Sequence, residues 1–307
     1  MRILVVASYN KGRFAPFILE QADALKQAGC EVEFFGVQGK GLRGYLKNRS
    51  DLSRQIKEFR PDVIHAHYGL SGLLANLQRQ VPVVTTYHGS DINDKKVLPF
   101  SKMAMQLSAW NIFVSNKTKE IAKPKSSFTL LPCGIDLYGS QLTEKHDARR
   151  QIGLDLNKKY VLFAGAFDNA VKNASLAKAA IALLHEEVEL LELKGYSRDQ
   201  VTLLMCSVDV FLMTSINEGS PQVIKEAMVC GCPVVSVDVG DVKERMAGID
   251  GCYVSQSRDA NDIAELLRQA MTFEGKTNGR ERIIADGLDN QQVAARLIEI
   301  YQNLCKA

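Results

Sequence analysis

The sequence predicts two doubly wound α/β domains, each a parallel sheet covered by helices on both faces. Three observations carry this. The chain has 307 residues, enough for two domains at roughly 150 residues each. Short β-branched runs alternate with helical patterns from end to end, as in sheets built from βαβ units. The strand-like runs are apolar at nearly every position, which is expected only where both faces of a sheet are buried.

In the first half, strands are predicted at Ile3–Ala7, Val32–Gly36, Val63–Ala66, Val83–Tyr87, Asn111–Val114 and Phe128–Leu131. Helical stretches lie between them, such as Phe17–Ala28 with apolar residues at 17, 18, 22 and 25. A second series begins near Tyr160 with VLFAG, VELLELK, VDVFLMTS, CPVVSVD and CYVS. The two series join around LPCGIDLYGS, and Pro132 to Lys159 is polar enough to read as a linker. The expected domains are 1–140 and 141–289, the second short enough that its sheet should be trimmed. Residues Gln291–Cys305 form an amphipathic helix, with Val293, Leu297, Ile300, Tyr301 and Leu304 on one stripe, expected to pack back on the first domain.

Composition narrows the class. With 46% hydrophobic and 24% charged residues, the chain has apolar surface for two cores and is not a disordered protein. No apolar run approaches the ~20 residues of a membrane helix. The N-terminal MRILVVASYN starts as a strand and lacks a signal-peptide pattern. Seven scattered cysteines without metal-ligand spacing read as small buried residues in a reducing cytoplasm. A formal charge of +3 gives no reason to expect a nucleic-acid partner.

In open parallel sheets, ligands bind outside the carboxyl ends of the strands. The richest such place is residues 208–240. A buried strand runs into the loop Ser215 to Ser220, and a helix is expected to start at Pro221 with Ser220 as its cap. Gly231 and Pro233 then end the helix. Glu218 lies in the loop and Glu226 about one and a half turns inside the helix. Val223, Ile224, Ala227 and Met228 mark its buried stripe, so Glu226 borders the core. A carboxylate accepts two hydrogen bonds side by side, matching the vicinal diol of a ribose. Gly219 permits close backbone approach, and the free amides at the helix start favour a phosphate. On spacing alone, ordinary helix-start and helix-surface acids explain these glutamates equally well.

The full string NEGSPQVIKEAMVCGCPVVS (217–236) resembles the E-x7-E signature of the family 4 glycosyltransferases. PDVIHAHYG (61–69), VVTTYHGSD (83–91) and LLPCGIDL (130–137) are similar to that family's other landmarks, so the resemblance covers nearly the whole chain. It implies a GT-B fold, with two Rossmann-like domains facing each other across a cleft that excludes water on closing. It also implies a retaining, metal-independent transfer from a UDP- or GDP-linked sugar to a saccharide or lipid-linked acceptor, with no separate cofactor. By resemblance, Glu218, His88 and Lys172 are the expected catalytic residues. Glu226 would hold the ribose, and Gly219, Ser220, Pro221, Gly12, Asp91 and Gly165 would line the substrates. The leaving phosphate would take the acceptor's proton on the same face of the sugar.

Departures from the family pattern matter. The Arg usual after the glycine of VLFAG is absent, because Ala166 follows Gly165. Lys172 then carries more of the diphosphate charge, with Lys225 or Arg13 as candidate helpers, and a lysine is a point charge without arginine's fork. The family's paired glycines appear as Gly12-Arg13, and Cys133 stands where an Asn is usual. A nucleotide-sugar epimerase, a sugar phosphorylase or a non-catalytic sugar-nucleotide-binding protein of the same fold remain alternatives.

Among the histidines, His65 and His67 share one face of a strand end. A hydrogen-bonded histidine near a strand end is the plain alternative for them and for His88. The chain has no D-x-D pair, G-x-S-x-G or P-loop. Residues 40–60 are basic, with Lys40, Arg43, Lys47, Arg49, Arg54, Lys57 and Arg60 beside Leu42, Tyr45, Leu46 and Leu52. They read either as a solvated face or as a contact with anionic lipid at the inner face of the membrane.

Overall fold

The computed structural model describes residues 1–137 and 142–306. It divides into two compact units, Met1–Ile135 with Leu288–Ala307, and Asp136–Gly287. The expected boundary at 140/141 lies outside the described residues.

In the first unit, β1 (Arg2–Ser8), β2 (Glu31–Val37), β3 (Val63–His67), β4 (Val83–Tyr87), β5 (Trp110–Phe113) and β6 (Phe128–Leu130) form one parallel sheet in the order β2-β1-β3-β4-β5-β6. The period-2 geometry of a strand splits β1 between two cores. Ile3, Val5 and Ala7 pack with Ile18, Leu25, Val84 and Ile112 on one face. Leu4 and Val6 pack with Leu52, Ile56, Phe59 and Leu74 on the other. All residues of β3 and β4 are buried, as expected of central strands covered on both faces, and His65, His67, Thr85 and Thr86 are buried with them. The C-terminal helix spans Asn290–Lys306 and buries Val293, Ala294, Leu297 and Tyr301 in the first of these cores. Its start is set by Asp289, whose Oδ1 accepts the amides of Gln291 and Gln292 at 3.0 and 2.9 Å.

The second unit holds β7 (Lys159–Phe163), β8 (Val188–Glu192), β9 (Val210–Met213), β10 (Val234–Val237) and β11 (Cys252–Ser255), all parallel, in the order β11-β10-β9-β7-β8. Five strands replace the six of the first unit.

Two expectations need correction. Part of the predicted linker is a helix, Lys145–Ile152, anchored in the second unit by the buried Arg149. Its polar sequence hides the anchor, because Arg149 is buried through hydrogen bonds rather than apolar contact. In the basic segment, the helices Gly41–Leu46 and Arg49–Phe59 bury Tyr45 and Leu52 and leave Leu46 exposed. The seven cations stay exposed, while two of the four apolar contact points, Tyr45 and Leu52, serve the core.

Candidate functional site

Both sheets have a topological switch point, where successive strands are added in opposite directions and two loops part to leave room for a ligand. In the second unit it falls between β7 and β9. The loop after β7 carries Gly165 and Lys172, and the loop after β9 carries Glu218, Gly219, Ser220 and Pro221.

Lys172 sits at the end of a 3₁₀ turn, Ala170–Lys172, capped by the Asn169 side chain. Thr214, just past β9, fastens this turn by donating from Oγ1 to the carbonyls of Lys172 and Asn173 at 3.0 and 2.9 Å. The Lys172 stem lies against Gly165, where an added Cβ would stand 2.8 Å from its Cγ. Gly165 is therefore needed for room. Held in this way, Lys172 Nζ donates to Glu218 Oε1 at 2.7 Å, with the two side chains 20% and 18% exposed. The two residues meet across 46 positions of sequence.

The helix spans Gln222–Val229, with Pro221 itself as N-cap. The expected start at Pro221 and cap by Ser220 are corrected. Pro221 has ψ 117° and stays extended, so the helix begins one residue later. The Ser220 hydroxyl instead donates to Asp241 Oδ2 at 2.9 Å. Gly219 is buried, and its carbonyl runs so close to Gly240 that a Cβ there would come within 2.4 Å.

Glu226 forms an ion pair with Arg198, its own side chain only 12% exposed. Sequence reading missed Arg198. A usable signal was present: Ser197 and Gln200 form a capping box, which puts Arg198 at the first position of a helix. A cation is disfavoured there by the helix dipole unless an anion faces it. Lys225 proves fully buried and near Asp241, whose carboxyl it helps to keep ionised against burial. Enclosed in the core, it is not placed to meet a diphosphate. Arg13, the other candidate helper, lies in the first unit.

In the first unit the switch point falls between β1 and β3. A cavity of about 550 Å3 opens there, lined among others by Lys11, Arg13, Phe14, Tyr45, Tyr68 and Asp91. Gly12 turns the exposed loop after β1 with φ +67°. Asp91 is 3% exposed. Its Oδ1 accepts the amides of His88 and Gly89 at 3.0 Å each, and its Oδ2 that of Gly69 at 2.9 Å. Asp91 thus holds the His88 backbone. Burial pushes its carboxyl up to about 6, against the lowering by those amides.

His88 is enclosed by aromatic rings, Phe17 at 4.9 Å and Tyr68 at 4.6 Å between centroids. Its Nε2 lies 3.0 Å from His67 Nδ1, and its Nδ1 lies 3.7 Å from Cys133 Sγ. Behind it, His65 is wholly buried. Its Nδ1 is 2.6 Å from the Tyr301 hydroxyl and its Nε2 2.8 Å from Thr86 Oγ1.

This cluster predicts a pH dependence. Burial lowers the His65 pKa to about 3 and that of His67 well below its ordinary value. Both are neutral when folded and take up protons on unfolding below pH ~6.5. Their contribution is complete above that pH and is lost as pH falls toward the folded values. Asp91 opposes them, since its folded pKa of about 6 exceeds its unfolded 3.8. Two histidines against one carboxyl leave a net loss of about 2 kcal/mol between pH 7 and 5. Urea unfolding at the two pH values checks this, and equal midpoints would contradict it.

The Glycosyltransferase Family 4 model matches residues 15–138, and the model described as Glycosyl transferases group 1 matches residues 184–272. Both models are of glycosyltransferases, and the first marks the chain as similar to the family 4 glycosyltransferases. Among curated relatives, TuaC of Bacillus subtilis, named for teichuronic acid biosynthesis, is 29% identical over 240 residues, covering 69% of this chain and 61% of its own. D-inositol 3-phosphate glycosyltransferase 1 of Catenulispora acidiphila is 26% identical over 265 residues, covering 67% and 63%. The chain thus spans less than two thirds of the length of these two relatives. Sucrose-phosphate synthase from Thermosynechococcus elongatus matches in fold with a TM-score of 0.84 at 17% identity, covering 99% of each chain. HepE of Anabaena, solved with UDP and glucose, matches with a TM-score of 0.75 at 18% identity, covering 99% of this chain and 100% of that one. The fold is GT-B.

Proposed function

We propose that this protein is a retaining, metal-independent glycosyltransferase that moves a sugar from a nucleotide-diphosphate donor to a saccharide or lipid-linked acceptor. The observation that carries this reading is the pairing of Lys172 with Glu218 beside the start of helix Gln222–Val229, with Glu226 on that same helix. A cation and a set of helix-start amides converge where a leaving diphosphate needs them. Glu226 would exchange its pairing with Arg198 for the ribose diol, and Glu218 would meet hydroxyls of the donor sugar. Gly165, Gly219, Ser220 and Pro221 shape this side of the site. In the first unit, the cavity beside Gly12 and Asp91 suits an acceptor, and His88 would contact a sugar hydroxyl.

On this reading, positive charge develops at the anomeric carbon as the bond to the diphosphate breaks, and Lys172 and the helix amides take the negative charge. The leaving phosphate oxygen accepts the proton of the acceptor hydroxyl. Metal independence is supported by the lack of a D-x-D pair in the sequence.

The names of the relatives favour a transferase over an epimerase or a sugar-nucleotide sensor. Teichuronic acid, colanic acid and amylovoran biosynthesis in those names support a place in cell-surface polysaccharide synthesis. UDP-glucose, bound in a HepE structure, is the first donor to try, with GDP-linked sugars next. The exposed cations of residues 40–60 would bring the protein to anionic lipid at the cytoplasmic face. No helix among the described residues is long and apolar enough to cross a membrane.

Glu226→Ala tests the site. Losing a charged, two-point grip on a diol is expected to weaken nucleotide binding about tenfold to a hundredfold. Calorimetric titration with UDP and GDP reads this directly. Unchanged affinity for the nucleotide that wild type binds best would remove Glu226 from the site.

A further inference from the structure

His67 is an anomaly that the proposed reaction does not use. It ends β3 with no exposed surface, and its Nε2 has no hydrogen-bond partner among the described residues. Its ring stacks at 23° on His65 with centroids 4.5 Å apart, and at 23° on His88 with centroids 5.2 Å apart. Three imidazoles therefore form a column from the buried His65 to the partly exposed His88.

The proton positions in this column follow from hydrogen-bond accounting. Gln21 Nε2 lies 3.3 Å from His65 Nδ1, and an amide nitrogen only donates. His65 Nδ1 is thus an acceptor, and His65 donates from Nε2 to Thr86 Oγ1. His67, neutral in this setting, carries a single ring proton. On Nε2 it would be a buried N–H without an acceptor, which costs about 1–3 kcal/mol. On Nδ1 it is donated across 3.0 Å to His88 Nε2, and only a lone pair is left unused, the cheaper omission. His88 Nε2 then serves as acceptor, so the proton of a neutral His88 must be on Nδ1, pointing at Cys133 Sγ. Sulfur at 3.7 Å is a weak acceptor, one that a sugar hydroxyl would readily replace.

We propose that His67 is a positioning residue that holds His88 as its Nδ1–H tautomer, so that His88 presents a hydrogen-bond donor to a sugar hydroxyl and does not act as a base. The inference rests on the glycosyltransferase reading. The surroundings also fix the place of the ring. Tyr68, whose ring flanks His88, is held at φ +73° and ψ 149°, backbone geometry that a non-glycine residue adopts only under constraint. Its amide donates to the Thr86 carbonyl at 2.9 Å, so the wall of the His88 box is fixed to β4.

The test uses full-length protein carrying 15N-labelled histidine. Two-bond proton–nitrogen correlation spectra report which ring nitrogen of His88 bears the proton. The expected wild-type result is Nδ1–H, and Nε2–H would overturn the proposal without any substitution being made. His67→Phe keeps an aromatic ring but has no donor, while His67→Asn places an amide N–H near the lost Nδ1. In H67F the His88 tautomer is expected to change, and kcat to fall about tenfold to a hundredfold, with the KM for donor within twofold of wild type. H67N should restore both the tautomer and most of the rate, which a filler of core volume would not do. Persistence of Nδ1–H in H67F, or a changed tautomer with unchanged turnover, overturns the role. If wild type turns over no nucleotide sugar at all, the transferase reading fails, while the spectra still decide whether His67 sets the tautomer.

Discussion

Lys172→Ala is expected to lower kcat about 10²–10³-fold, the usual cost of removing one preorganised group from developing charge. The expectation comes from the way the lysine is held. Gly165 leaves room for its stem, Thr214 fastens its turn, and Glu218 fixes its ammonium at 2.7 Å. A charge positioned in advance needs little reorganisation as the diphosphate departs. Because Ala166 takes the place of the family's usual Arg, the loss should not be shared with a neighbour in that loop. K172R keeps the charge but is too bulky for the groove over Gly165, so an intermediate rate is expected. Initial rates on a donor found active with wild type measure both variants. If K172A retains more than a third of the wild-type kcat, Lys172 does not face the leaving group.

Arg149→Met should destabilise the second unit by about 3–5 kcal/mol, the range for stripping one partner from a buried charge pair. The side chain is 5% exposed and every arm of its fork is used. Nε donates to the Ser207 carbonyl at 2.8 Å, Nη1 to that of Leu156 at 2.9 Å, and Nη2 to Asp209 Oδ2 at 2.9 Å. Asp209 also accepts the Tyr160 amide and the Lys145 ammonium. Removing the guanidinium leaves two carbonyls unsatisfied and a carboxylate with half its compensation. Asp209 immediately precedes β9, the strand that delivers the Glu218 loop, so donor affinity should weaken as the unit loosens. Denaturant titration followed by circular dichroism should show an early transition in R149M that wild type lacks. A single transition at the wild-type midpoint would refute the assignment of Arg149 as the anchor.

The contrast between Arg149 and Glu218 shows what a one-dimensional reading can reach. Glu218 and Glu226 stand in a contiguous string whose punctuation, Gly219, Pro221, Gly231 and Pro233, states its own turn–helix–strand geometry. Their surroundings come from chain neighbours, so the string is legible. Arg149 lies in a polar stretch without strand pattern, and its burial depends on Ser207, Leu156 and Asp209. Nothing within a helical turn of it announces those partners. Ser220 failed as a predicted cap because Pro221 stays extended and the helix begins one residue later, and its hydroxyl donates instead to Asp241, distant in sequence. Lys225 reads as a surface cation on a helical wheel, yet it is enclosed next to Asp241.

Sequence alone determined the succession of strands and helices, because side-chain period and burial on both faces are written into consecutive residues. It also placed Glu218 in the loop at a strand's carboxyl end and Glu226 in the helix that follows, since both positions follow from chain direction. Tertiary structure decided which side chains meet: Lys172 with Glu218, Arg198 with Glu226, and His67 with His88. Those meetings depend on strand order and on the register of parallel neighbours, which are set by the packing of whole sheets and have no counterpart in any short window of the chain.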